Sequence, residues 1–141
     1  VIILDTNALS EALKPVPSDI VARWAAKQES STMFVTAITQ AEILVGIEVM
    51  VAGKRKHRLT EVVEQIFVHD FQGRILPFDA EAARQFATIS ASRKAAGRPI
   101  SQFDAMIAAI VRVHGATLAT RNVRDFEHCG IRLINPWADV H

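Results

Sequence analysis

The sequence holds a single cysteine, Cys129, and no tyrosine. One thiol cannot close an internal disulfide, so a small cross-linked scaffold is excluded and Cys129 is expected to be a buried or loop residue. An excess of charge is missing too: 16 Lys and Arg stand against 15 Asp and Glu, a net +1. That excludes a protein that coats nucleic acid through bulk charge, so any contact with a polyanion must be locally arranged. No apolar run is long enough to cross a bilayer. The opening Val1-Ile2-Ile3-Leu4-Asp5 lacks the basic and long apolar regions of a signal peptide. The expectation is a cytoplasmic protein with no membrane partner. The five histidines (His57, His69, His114, His128 and His141) are scattered. None has zinc-ligand spacing, so all are read as structural or exposed. Repeats, low-complexity tracts and linkers are absent.

What is present suits one domain spanning 1–141, half of it apolar. Val1–Leu4 reads as a buried parallel strand, and Met33–Val35, Arg74–Leu76, Thr117–Ala119 and Ile131–Ile134 as four more. Helical patterns cover Ala8–Leu13, Asp19–Lys27 with Ser18 as N-cap, Ala37–Val51, Arg58–Asp70, Ala80–Ala96 and Gln102–His114. The alternation predicts an α/β sandwich around a mostly parallel sheet of about five strands. Gln102–His114 and Ala37–Val51 are apolar nearly all round, the mark of a buried helix or of one that meets a partner. Glu42 and Glu48 lie six residues apart on the second of these, so one can face a cleft while the other meets solvent. The basic run Lys54-Arg55-Lys56-His57-Arg58 fits a solvated helix start or a contact with RNA.

The acids fall in telling places. Asp5 follows the first strand, Glu42 lies early in the helix after the second, Asp104 opens the apolar helix, and Asn122 and Asp125 follow the fourth strand. In open α/β sheets ligands bind beyond the carboxyl ends of the strands. Each residue also has a capping role: Asp5 toward Asn7, Thr39-x-x-Glu42 and Ser101-x-x-Asp104 as capping boxes, and Asn122-x-x-Asp125 as a looser one. Brought together, carboxylates repel and lose hydration, and a divalent cation offsets both. Oxygen-only ligation suits Mg²⁺ or Mn²⁺.

Leu4-Asp5-Thr6-Asn7 resembles the opening motif of the PIN-domain family. Thr36-Ala37-Ile38-Thr39-Gln40-Ala41-Glu42 with Gly46, Asp104-Ala105-Met106-Ile107-Ala108-Ala109, and Ala119-Thr120-Arg121-Asn122-Val123-Arg124-Asp125-Phe126 resemble the next three, in order. Arg74-Ile75-Leu76-Pro77-Phe78-Asp79 and Asn135-Pro136-Trp137 are similar to the FitB-like branch of VapC toxins. The resemblance implies a PIN-like three-layer α/β/α sandwich and a Mg²⁺- or Mn²⁺-dependent endoribonuclease toxin. It also implies a VapB-type antitoxin that reaches DNA on the pair's behalf, and a homodimer or a dimer of toxin–antitoxin heterodimers. Carried over, Asp5, Glu42 and Asp104 match the acidic metal site. Asn122 stands where the pattern often has Asp, with Asp125 further on, and either positions the water or assists a second ion. Thr6, Asn7 and Thr120 are candidate supporting donors, and Arg121 a candidate phosphate contact that also fits pairing with an acid. Arg93, Lys94 and Arg98 suit an RNA backbone or a helix C-terminus equally, and Gly46 a bare surface or close packing. The rival readings are a weakly or non-catalytic binding module acting with its antitoxin on a promoter, a nuclease acting on DNA, and a phosphoacceptor domain. The last lacks its acidic pair at the first strand end.

Overall fold

The computed structural model describes residues 1–138; His141 lies outside them. Five strands form one wholly parallel sheet in the order β3-β2-β1-β4-β5. They are β1 (Ile2–Leu4), β2 (Met33–Thr36), β3 (Ile75–Leu76), β4 (Thr117–Ala119) and β5 (Arg132–Ile134). The apolar N-terminal strand takes the centre, with Ile3 opposite Phe34 on one side and Leu118 on the other. Successive residues of a strand point to opposite faces, and the core divides accordingly. Ile3 and Leu118 pack with Ala82, Ile89, Ile107, Ala108 and Ile110 on one face. Leu4 and Ala119 pack with Leu9, Trp24, Val63 and Phe67 on the other. Helices therefore cover both faces, as an all-parallel sheet requires, and the three-layer expectation is met.

The helices are α1 (Thr6–Ala12), α2 (Asp19–Ala26), α3 (Ala37–Glu48), α4 (Lys54–Glu64), α5 (Ala80–Ala95) and α6 (Gln102–His114). α5 and α6 pack along each other on the first face. The α6 stretch from Ala105 to Val111 is buried apart from half-buried Met106, as its all-round apolarity predicts. Its C-cap Gly115 adopts φ 58°, the left-handed conformation that frees the chain to turn into β4.

Three local expectations change. α3 is not buried: only Thr39 and Ile43 are, while Val45 is 61% and Val49 77% exposed, because no element covers its outer side. α4 begins at Lys54 rather than at residue 58, so the basic run forms an exposed first turn. It then widens into a π-helical segment, Gln65–Asp70, that extends to the expected end. Ser18 occupies the N-cap position of α2 without a side-chain capping bond; its N–H instead donates to Glu11 Oε2 at 2.9 Å, and Lys14 bonds the other oxygen. Among the described residues no helix is long and apolar enough to cross a membrane.

Candidate active site

Every strand runs the same way, so all carboxyl ends open on one edge of the sheet. At that edge Asp5, Thr6, Asn7, Glu42, Asp104, Ile107, Asn122 and Phe126 line a cavity of about 100 Å³. It is continuous through Asn7, Glu42, Asp104 and Asn122 with an outer cleft of about 450 Å³, whose further walls are Ser101, Gln102 and Phe103. Neither lining includes a basic residue.

Asp5 and Asp104 are delivered by helix starts, and Glu42 by the second turn of α3. Asp5 is the N-cap of α1: its Oδ1 accepts from the Ala8 N–H at 2.8 Å. The Thr120 hydroxyl, fully buried at the end of β4, donates to the same carboxylate and accepts from the Asn122 N–H at 3.0 Å. Asp104 sits in the first turn of α6, where Ser101 Oγ caps its N–H at 3.2 Å. Glu42 Oε1 accepts from the Thr6 hydroxyl at 2.7 Å, and Thr6 shares a 3.0 Å hydroxyl contact with buried Thr39. The cap of α3 is Thr36, not Thr39: Thr36 Oγ1 accepts from the Thr39 N–H at 3.1 Å. The capping box expected from Thr39 to Glu42 is therefore not made, and Thr39 instead supports the Thr6–Glu42 bond.

Burial pushes the Asp5 carboxyl above its ordinary range; the bonds from Thr120 and Ala8 oppose this, and the charges of Asp104 and Glu42 add to it. Asp104 is also raised by burial, against its Ser101 bond, with the charge of Asp125 adding to the rise and that of Arg93 opposing it. Among the described residues no Lys, Arg or His forms an ion pair with Asp5, Glu42 or Asp104. Buried, mutually repelling carboxylates with no cationic partner are what a bound cation would relieve. As the side chains stand, no group of three His, Cys, Asp or Glu among the described residues converges closely enough to hold an ion. The donors that share the cavity are all oxygens.

The other predicted residues divide. Asn122 faces the cavity; Asp125 does not line it, although its charge reaches Asp104. Asn7 lines both cavity and cleft. Arg121 lies outside both, stacked at 5.3 Å on the Trp137 ring and within electrostatic reach of Glu11. Of the three cations at the end of α5, Arg93 is buried and cannot track a backbone. Its Nε donates to the Arg98 carbonyl at 2.6 Å and its Nη1 to those of Asp125 and Glu127, both at 2.9 Å. Nothing in the spacing of the acids pointed to this clamp on the loop carrying Asp125. Cys129 is buried beside Arg93, 3.6 Å from Nη1. Gly46 is open surface rather than close packing: an added Cβ would meet nothing within 4 Å.

Residues 2–130 match the PIN domain family. The VapC ribonuclease Y4jK of Sinorhizobium fredii is 40% identical over 136 residues, 96% of this chain and 97% of its own. Toxin FitB of Neisseria gonorrhoeae is 38% identical over 138 residues, 98% and 99% of the two chains. Among solved structures, a chain of FitAB bound to an IR36 DNA fragment superposes with a TM-score of 0.93 at 38% identity, covering 100% of this chain and 99% of that one. A chain of DNA-bound VapBC from Salmonella typhimurium gives 0.80 at 31% identity, over 96% and 97%. With four motifs in order, a parallel sheet of the right topology and its acids on one edge, the chain belongs to the PIN-domain family, among the VapC- and FitB-like toxins.

Proposed function

We propose that this chain is a metal-dependent endoribonuclease, the toxin of a toxin–antitoxin pair, hydrolysing RNA phosphodiester bonds in the cytoplasm until a VapB-type antitoxin occupies its cleft. The observation that carries the reading is that buried Asp5 and half-buried Asp104, neither in an ion pair, share one cavity with Glu42. Near-full-length similarity to a VapC ribonuclease supports the substrate class. Similarity to chains of DNA-bound FitAB and VapBC supports the antitoxin, with DNA reached through it; the assembly we propose is a homodimer or a dimer of heterodimers.

The residues fit a hard divalent ion, Mg²⁺ or Mn²⁺, with Asp5, Asp104 and Glu42 as its holders. A cation bound there supplies Lewis acidity toward a water and neutralises charge developing on the phosphate. The chain's own residues do the rest. Ala8 and Thr120 fix Asp5, Thr6 fixes Glu42, and Ser101 anchors the turn that carries Asp104. Such supporting bonds orient ligands and tune their basicity. Asn122 offers a carbonyl oxygen to orient the attacking water, and Asp125 adds negative charge from behind.

The test is cleavage of a total-RNA or transfer-RNA pool by purified, antitoxin-free protein in Mg²⁺ or Mn²⁺ against EDTA. Discrete metal-dependent fragments that vanish in Asp5→Asn and Asp104→Asn are the expected result. A second reading rests on Asn122, which brings no charge to the cavity: a binding module acting with its antitoxin on a promoter. A folded chain that binds antitoxin and cleaves no RNA in either metal would select it.

A further inference from the structure

The cleft floor is acidic and its lining holds no cation. A cation held by the acids would serve the scissile phosphate, while the outer wall offers no charged group to the rest of the nucleotide, so a grip there comes from contacts that ignore charge. One residue of the wall supplies them. Phe103 lies in the first turn of α6 beside Asp104, lines the outer cleft, and is 52% exposed. Isolated exposed apolar residues are ordinary on protein surfaces. Phe103 differs in kind, because the other large exposed hydrophobics among the described residues are all Val or Leu. The helix keeps its backbone fixed: the Ser101 cap bonds the next residue's N–H, and Ala105 behind it is buried. A flat, half-exposed ring on a rigid turn is pre-organised for stacking. The adjoining wall residue, Gln102, carries an amide able to donate and accept along a base edge. The 450 Å³ cleft lies in the range of small-ligand pockets.

We propose that Phe103 is a nucleobase platform: it stacks the base of a nucleotide beside the bond to be cut, with Gln102 facing that base's edge. The inference rests on the ribonuclease reading and deepens it. A ring presented this way takes a base that has left its own stack, so the platform selects nucleotides outside a duplex.

Two measurements test it. In steady-state cleavage of an unstructured RNA oligonucleotide, Phe103→Ala and Phe103→Leu are expected to raise KM by about 5- to 150-fold, as loss of one base–aromatic stack predicts. kcat should hold within about twofold, since uniform binding is what is lost, and Phe103→Trp should restore KM. Unchanged KM in Phe103→Leu would overturn the proposal. Separately, the added indole of Phe103→Trp, read as a difference from the parent, should be quenched by the RNA oligonucleotide. The same oligonucleotide lacking bases opposite the cleft should not quench it; equal quenching by both would overturn the platform. If the parent protein cleaves no RNA, the ribonuclease reading fails, and the quenching comparison still decides whether Phe103 meets a base.

Discussion

Asp5 performs two tasks that pull against each other. As the N-cap of α1 its carboxylate is stabilised by an N–H and the helix dipole, yet burial and neighbouring acids make its charge costly. Because the second influence prevails, its folded pKa lies above the unfolded one. The folded state then binds protons more tightly, and stability contributed by this group rises as pH falls through that interval. Asp104 has the same sign. Metal-free Asp104→Asn is therefore expected to melt higher than the parent at neutral pH while losing cleavage by at least about a hundredfold, more than a supporting bond usually costs. Calorimetry and the RNA assay together check this. Thr6→Val keeps shape and removes the hydroxyl on Glu42. It should lower metal affinity or activity about 10- to 100-fold. Asn122→Asp should lower the Mg²⁺ concentration needed for half-maximal cleavage, read from a metal titration. Asp5 and Glu42 were legible in the sequence because they follow strand ends, and Asp104 because it opens an apolar helix. Thr39 was not, because a threonine near a helix start looks like a cap wherever it points. Phe103 hid in the same way, since an aromatic beside an apolar run reads as core.

The helix starts are the elements that build the cleft, and their caps differ in what they carry. Removing the Ser101 hydroxyl should cost about 1 kcal/mol, the usual worth of such a cap. Arg93 should cost more. Arg93→Ala removes one donor from each of the partly buried carbonyls of Arg98, Asp125 and Glu127. A buried acceptor left without a partner costs about 1–3 kcal/mol. With three such bonds lost, each worth about 0.5–1.5 kcal/mol where water can replace the donor, urea unfolding should show a larger loss than Ser101→Ala. Periodicity revealed nearly every element: α6 was identified by its apolarity and β1 by its continuous run. The same logic misplaced α3, since an apolar helix without a covering layer has the sequence of a buried one. Arg93 left no trace because a guanidinium satisfied by carbonyls needs no acidic partner at helical spacing.

For the whole molecule, opposing titrations set the acid response. Glu11, held below its usual range by the Ser18 N–H and by Lys14, contributes stability that is lost as pH falls through its folded value. Asp5 and Asp104 contribute in the other direction, at higher pH. Metal-free protein should thus gain stability from neutral pH into the mildly acidic range, then lose it on further acidification. Mg²⁺ should reverse the first limb by binding only the folded, ionised cleft. Thermal melts across pH with and without Mg²⁺ would show it. The topology was legible as a class, but strand order was not, because short parallel strands carry no register signal of their own. That order has a consequence for synthesis. The central strand is the first of the five in chain order, yet it pairs with the fourth, at residues 117–119. Until β4 is made, one edge of β1 is open and Thr120 has not reached Asp5, although α6 already has α5 to pack against. A chain cut before β4 would keep Asp5, Glu42 and Asp104 but lack Asn122 and Phe126, which close the cavity around them, so the acids alone do not make the cleft.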